Sequence, residues 1–139
     1  MTVAHHDLCF GCGLANVFGL HLEAEPAGEG AIAGRFFVKQ DHQGPPGVAH
    51  GGVMAAALDE AMALAVHAAG LHAVTVRLDV SLSAPAAVGE FVRVAARIDD
   101  QGGGLVRVSA AAYADSEPDR SLGAARGEFA VVDTGPDGS

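Results

Sequence analysis

Three clusters in this 139-residue chain carry residue types that do chemistry: His50-Gly51-Gly52, the adjacent carboxylates Asp59 and Glu60, and Cys9 with Cys12 close to His5 and His6. Two glycines after a histidine let a ligand or another backbone come close. If a helix starts there, its first N–H groups lack intrahelical partners and carry partial positive charge. Such an end suits the oxyanion that develops when a carbonyl is attacked, and one donor of this kind is worth on the order of a hundred- to a thousand-fold in rate. The same glycines would also serve close packing of helix on sheet. Asp59 follows His50 by nine residues, inside VMAAALDEAMALAVHAAG. A carboxylate in so apolar a stretch costs several kcal/mol, on the order of 3–5, unless it is paired, hydrogen-bonded or wet. Either Asp59 or Glu60 is therefore a candidate general base or nucleophile. They project about 100° apart, so one of them is free to face solvent. Capping a loop or bonding across an interface would be the structural alternatives.

Cys9-x-x-Cys12 with His5, His6 or His42 raises zinc. A lone CxxC is two ligands short of a tetrahedral set, so the sequence favours buried or pocket-lining thiols and no metal. His67 and His72 read as surface residues compatible with the negative end of a helix.

The elements that must position these groups follow from periodicity. Residues 1–18 read as a loop segment. Leu20, Leu22 and Ala24 alternate with polar neighbours as a strand, and a turn at Pro26–Gly30 leads to a second strand over Ala31–Lys39. The Gly- and Pro-rich DHQGPPGVAHGG precedes an Ala-, Leu- and Met-rich helix ended by Gly70. Apolar on all sides, that helix must be enclosed. Strands follow near Thr75–Leu82, Glu90–Ile98, Leu105–Tyr113 and Leu122–Val132. In the first of these, Val76, Leu78, Val80 and Leu82 are expected on one face and Thr75, Arg77, Asp79 and Ser81 on the other. Short turns between consecutive strands imply an antiparallel sheet. The expectation is an α+β hotdog fold, a curled sheet of about six strands around one long buried helix. Residues 1–139 form one domain, with 133–139 a flexible tail.

Seventeen Asp and Glu against eight Lys and Arg give a net charge of −9, which argues against nucleic acid and against a polybasic membrane surface. No apolar run approaches the roughly 18 residues of a membrane span, and the start of the chain has no signal-peptide pattern, so a cytoplasmic location is expected.

GPPGVAHGGVMAAALDEAMALAV resembles the central segment of hotdog-fold acyl-CoA thioesterases of the phenylacetic-acid-degradation (PaaI) type and their thioesterase-superfamily relatives. CFGCGLANVFGLHL is similar to the CxxCGxxNPxGLxL opening of one branch, with Val17 in place of Pro. TVRLDVSLSAPAAVGE resembles the strand and turn that follow the helix, with Thr75 at a Ser/Thr position. The likeness covers most of residues 9–132. It implies hydrolysis of acyl-CoA, with Gly51 N–H polarising the thioester carbonyl and Asp59 acting as base or nucleophile across a subunit boundary. Thr75 would hold the water or the carboxylate, and His50 would shape the site. Val48 and Gly52 would lie on the substrate side, and no metal or redox cofactor would be needed. Relatives often place Asn or Gln before HGG; Gln43 is the nearest here and takes no assigned role. Arg35, Arg77 and Arg93 are candidates for the coenzyme phosphates. A homodimer or dimer of dimers is implied, since a single curled sheet leaves an edge strand open. Two rival readings remain: a non-catalytic acyl-CoA binding module, and a hotdog (de)hydratase using His42 with Asp59 on enoyl or hydroxyacyl thioesters.

Overall fold

The computed structural model describes residues 2–132. The tail expected over 133–139 lies outside the described residues. Six strands form one antiparallel sheet: β1 (Glu23–Pro26), β2 (Ala31–Phe37), β3 (Ala73–Leu82), β4 (Phe91–Gly102), β5 (Leu105–Ala114) and β6 (Ser121–Val131), in the order β1-β2-β4-β5-β6-β3. One helix, α1 (Gly51–Ala68), falls between β2 and β3 in the chain and packs against all six strands. This is the hotdog fold expected from the sequence.

The helix is enclosed because its own surface demands it. Ala57, Leu58, Ala61, Met62, Leu64 and Ala65 are wholly buried, and they meet Ile32, Phe36, Val92, Val94, Val108 and Phe129 from the sheet. Small side chains bring the layers close. A Cβ on Gly127 would meet Phe129 at 3.0 Å and Met62 at 3.1 Å, so this β6 glycine makes room for the helix. Gly70, at φ +83°, ends the helix as the sequence implied.

Two strand readings differ from expectation. The first strand begins at Glu23 rather than near Leu20. His21 adopts φ +54°, which breaks the extended chain, and its Nε2 lies 2.7 Å from the Asn16 carbonyl. Leu20 and Leu22 are buried as their pattern implied, but their N–H groups donate to the carbonyls of Phe10 and Gly11 in the N-terminal segment. Residues 2–22 are otherwise turns, tied to β1 by a bridge from Val3 to Ala24.

The second difference is in β3. Its register on β6 slips between Thr75 and Arg77, so Val76 is a bulged residue with no partner. Thr75 pairs with Phe129, whereas Arg77 pairs with Glu128. Cross-strand partners share a face, and Phe129 is buried against the helix. Thr75 therefore faces α1 together with Leu78, Val80 and Leu82, while Arg77, Asp79 and Ser81 face outward. Simple alternation had put Thr75 on the outer side.

β1 pairs with β2 at Gly34, opposite Ala24, where an added Cβ would collide with the Glu23 carbonyl oxygen. Gly34→Ala is expected to push β1 off the sheet and lower the unfolding free energy by about 1–3 kcal/mol. Urea denaturation measures this, and an unchanged midpoint would show that β1 adds little.

Candidate active site

The loop ahead of α1 is built on its backbone. A 3-10 turn, Gln40–His42, buries the His42 ring, whose Nδ1 accepts the Lys39 N–H at 3.1 Å. The His42 carbonyl accepts the His50 N–H at 2.8 Å, and Ala49 N–H donates to the Ala86 carbonyl at 2.8 Å. Gly44 lies against His50, where an added Cβ would come within 2.8 Å of the His50 Cα. Gln43 Oε1 accepts the Gly47 N–H, which gives it a loop-folding role. His42 is thus a strut beneath HGG, occupied with its own loop.

His50 is the N-cap of α1 and its Nδ1 accepts the Gly52 N–H at 2.8 Å. That bond requires an unprotonated Nδ1, so a neutral ring carries its proton on Nε2. It also occupies the Gly52 N–H, one of the two glycine donors expected to face substrate. The Gly51 N–H finds no acceptor among the described residues and sits at the positive end of the helix. Gly51 and Gly52 are exposed, and Val48 is half-buried beside a bridge to Ala87.

Asp59 is half-buried on α1, and its Oδ1 accepts the Thr75 hydroxyl at 2.8 Å. The Val76 bulge makes this contact possible by turning Thr75 toward the helix. Asp59 has no ion pair among the described residues. Burial pushes its carboxyl above the ordinary value; the Thr75 bond and the charge of His5 pull it back, and Glu60 adds to the rise.

Glu60 is the more buried of the two carboxylates, at 9% exposure, and neither one simply faces solvent. Its Oε2 lies 2.9 Å from His5 Nδ1 and 3.5 Å from Cys9 Sγ. The Cys12 and Glu60 bonds hold His5 up to about 11 despite burial, and burial raises the Cys12 thiol.

Asp59 lies eight positions after Gly51, which is about 12 Å of helix rise. One carbonyl cannot touch both within a single chain. β3 lies at the border of the sheet with its far edge unpaired among the described residues and with Val74, Val76, Leu78 and Leu82 exposed. The arginines weighed for phosphate contacts are otherwise engaged or turned away. Arg93 bonds Asp115, Arg35 stacks 4.4 Å over the Phe91 ring, and Arg77 faces outward. Arg77 instead lines a groove of about 510 Å³ on the outer sheet face with Asp79, Arg107 and Glu128, which contains none of His50, Gly51, Asp59 and Thr75.

A family model described as the thioesterase superfamily matches residues 46–119, from the loop before HGG through β5. The chain belongs to the thioesterase superfamily. Solved structures agree on the fold. A protein of this superfamily superposes with a TM-score of 0.81 at 21% identity, over 89% of this chain and 60% of its own. A hypothetical thioesterase from Streptococcus pneumoniae, solved with coenzyme A, gives 0.74 at 19% identity over 80% and 85%. The PaaI protein of the E. coli phenylacetic acid degradation operon gives 0.75 at 19% over 82% and 81%. Mutant forms of the pneumococcal protein carry alanine at an aspartate and at a threonine, spaced as Asp59 and Thr75 are here. No curated protein matches the chain. No helix in the described residues is long and apolar enough to cross a membrane.

Burial holds the His42 ring below its ordinary value; the Gly19 backbone opposes this, as does Asp41, while Lys39 and His21 add to the drop. The unfolded chain takes up that proton near 6.5 and the folded chain at lower pH, so stability is full above pH 6.5 and falls as the pH drops. His42→Asn keeps an acceptor for the Lys39 N–H but does not titrate. Its deficit in unfolding free energy should shrink between about pH 7.5 and about pH 5.5. A deficit that stays constant would remove His42 from the acid limb.

Proposed function

We propose that this protein hydrolyses acyl-CoA thioesters at a site shared by two copies of the chain, with Asp59 as the reacting carboxylate and Gly51 N–H as the oxyanion donor. The observation that carries this reading is the Thr75–Asp59 hydrogen bond. It holds a half-buried carboxylate, with no ion pair among the described residues, on a mostly apolar helix. A carboxylate kept for stability alone would gain from a cation or from replacement by an apolar residue. Thr75 fixes Oδ1 and leaves Oδ2 for the reaction.

The carbonyl carbon of the thioester is attacked from the Asp59 side, by water that gives its proton to Asp59 or by the carboxylate itself. Negative charge builds on the carbonyl oxygen and is met by Gly51 N–H at the helix end, while His50 holds the neighbouring Gly52 amide in place. Collapse expels the coenzyme thiolate, which takes up a proton, and leaves the free acid once water has added. The distance of about 12 Å between the two groups along α1 supports a partner's contribution, because a second copy brings its own helix end to each Asp59. The exposed apolar edge of β3 supports pairing of β3 with β3. The pneumococcal relative crystallised with coenzyme A supports the ligand class.

Asp59→Asn should lower kcat for thiol release from acyl-CoA by at least about a hundred-fold while the chain keeps its fold and mass in solution. Thr75→Ala should cost about ten-fold, the worth of one hydrogen bond. Wild-type turnover by Asp59→Asn would sink the assignment, and hydration of crotonyl-CoA without thiol release would favour a hydratase.

The wild type should sediment as a dimer or a dimer of dimers. Val76→Lys, which places a charge on the open edge, should yield monomers and lose activity in step. Fully active monomers would refute the shared site.

A further inference from the structure

Glu60 turns from α1 toward the N-terminal segment, where it joins the cysteine pair that sequence spacing left two ligands short. His5 Nδ1, Cys9 Sγ, Cys12 Sγ and a Glu60 carboxylate oxygen all lie within 4.8 Å of one another. We propose that these four atoms form a closed, four-coordinate zinc site that clips the N-terminal segment to α1, one residue past Asp59.

The separations carry the inference. With Zn–S near 2.3 Å and Zn–N or Zn–O near 2.1 Å, a tetrahedron has edges of about 3.6 Å between sulfur and nitrogen or oxygen, and about 3.4 Å between nitrogen and oxygen. The sulfur of Cys9 lies 3.7 Å from His5 Nδ1 and 3.5 Å from Glu60 Oε2, and that of Cys12 lies 3.6 Å from His5 Nδ1. Of these four separations, only the His5–Glu60 contact, at 2.9 Å, falls well short of its edge, as befits a pair sharing a proton where the cation would sit. An opening of about 0.5 Å brings that edge to its tetrahedral length, and the Cys9–Cys12 and Cys12–Glu60 edges lie within 4.8 Å.

The donor set selects the ion. Two thiolates disfavour magnesium and calcium, which take oxygen ligands, and two sulfurs with an imidazole and a carboxylate suit zinc. Four protein ligands leave no position for substrate or water, so the site is structural. The His5 backbone N–H donates to Cys12 Sγ at 3.2 Å, the kind of outer bond that offsets thiolate charge.

The surrounding chain is built for this convergence. Gly11, between the cysteines, has no room for a side chain because a Cβ would collide with Glu60. The Gly13 N–H closes the turn onto the Cys9 carbonyl at 2.8 Å. A His5–Glu60 ion pair accounts for two of the groups but not for two sulfurs aimed at the same point. Residues 2–22 contain no helix or full strand, and a metal staple supplies what so little secondary structure cannot.

The test uses the full chain. Metal is measured in protein purified without added zinc, then removed with a chelator, and Co²⁺ is titrated back. The expected result is one equivalent bound, with intense tetrahedral d–d bands and a thiolate-to-cobalt charge-transfer band, both abolished by one equivalent of Zn²⁺. Cys9→Ser and Cys12→Ser should weaken the charge-transfer band, Glu60→Gln should shift the d–d bands, and chelation should lower the wild-type Tm by several degrees, reversibly with Zn²⁺. If the cysteine variants fail to fold, the wild-type spectrum decides. A folded wild type that shows no thiolate band with Co²⁺, or melts identically with and without zinc, overturns the site in favour of the ion pair. Asp59→Asn should keep the full cobalt spectrum while losing hydrolysis, so the two readings fail separately.

Discussion

A carboxylate on an apolar helix must find a partner, and α1 carries two of them in succession. Because neighbours on a helix project about 100° apart, no single element can serve both. The fold meets this from two directions. Glu60 is received by the N-terminal segment through His5 and Cys9, and Asp59 is received by β3 through Thr75. The remaining surface of α1 is free to be greasy, and the sheet closes over it. Gly11 and Gly127 show how tight the closure is, since neither has room for a side chain unless its neighbours shift.

The two solutions differ in character. Glu60 is nearly sealed and surrounded by groups that fix its position. Asp59 keeps one hydroxyl contact and remains half open, at the border where the sheet has an unpaired edge. Burial raises the Asp59 carboxyl while the Thr75 bond restrains the rise. Glu60 therefore anchors the helix, and Asp59 is the carboxylate to which the proposed function gives the reaction.

Most of the architecture was legible because it follows from repetition. The mostly apolar run required an enclosed helix, and the short turns QGGG and DSEPDR set the meander of β4, β5 and β6. Two details escaped because they are single-residue events. Alternation passes straight through Val76, since Val76 and Leu78 are both apolar, so the slip of register leaves no mark on the pattern. His21 is polar at a position where a strand would be polar, and its left-handed backbone is equally silent. The partner of the cysteines was hidden for another reason. Glu60 is 51 positions from Cys9, and only the packing of the N-terminal segment on α1 brings them together. For His50 the residue type announced a special position, but its hydrogen bond to Gly52 depends on the cap geometry.

The bulge at Val76 gives β3 an arithmetic of its own. Which way Thr75 points is set by the count of residues between it and the pairing of Arg77 with Glu128, not by the identity of any one of them. The outward side chains Arg77, Asp79 and Ser81 do not enter into that count. Losing or gaining one residue would swing it to the far side of the sheet and leave Asp59 without its only hydrogen-bond donor among the described residues. For the Thr75–Asp59 contact, chain length at this spot counts as much as the hydroxyl itself.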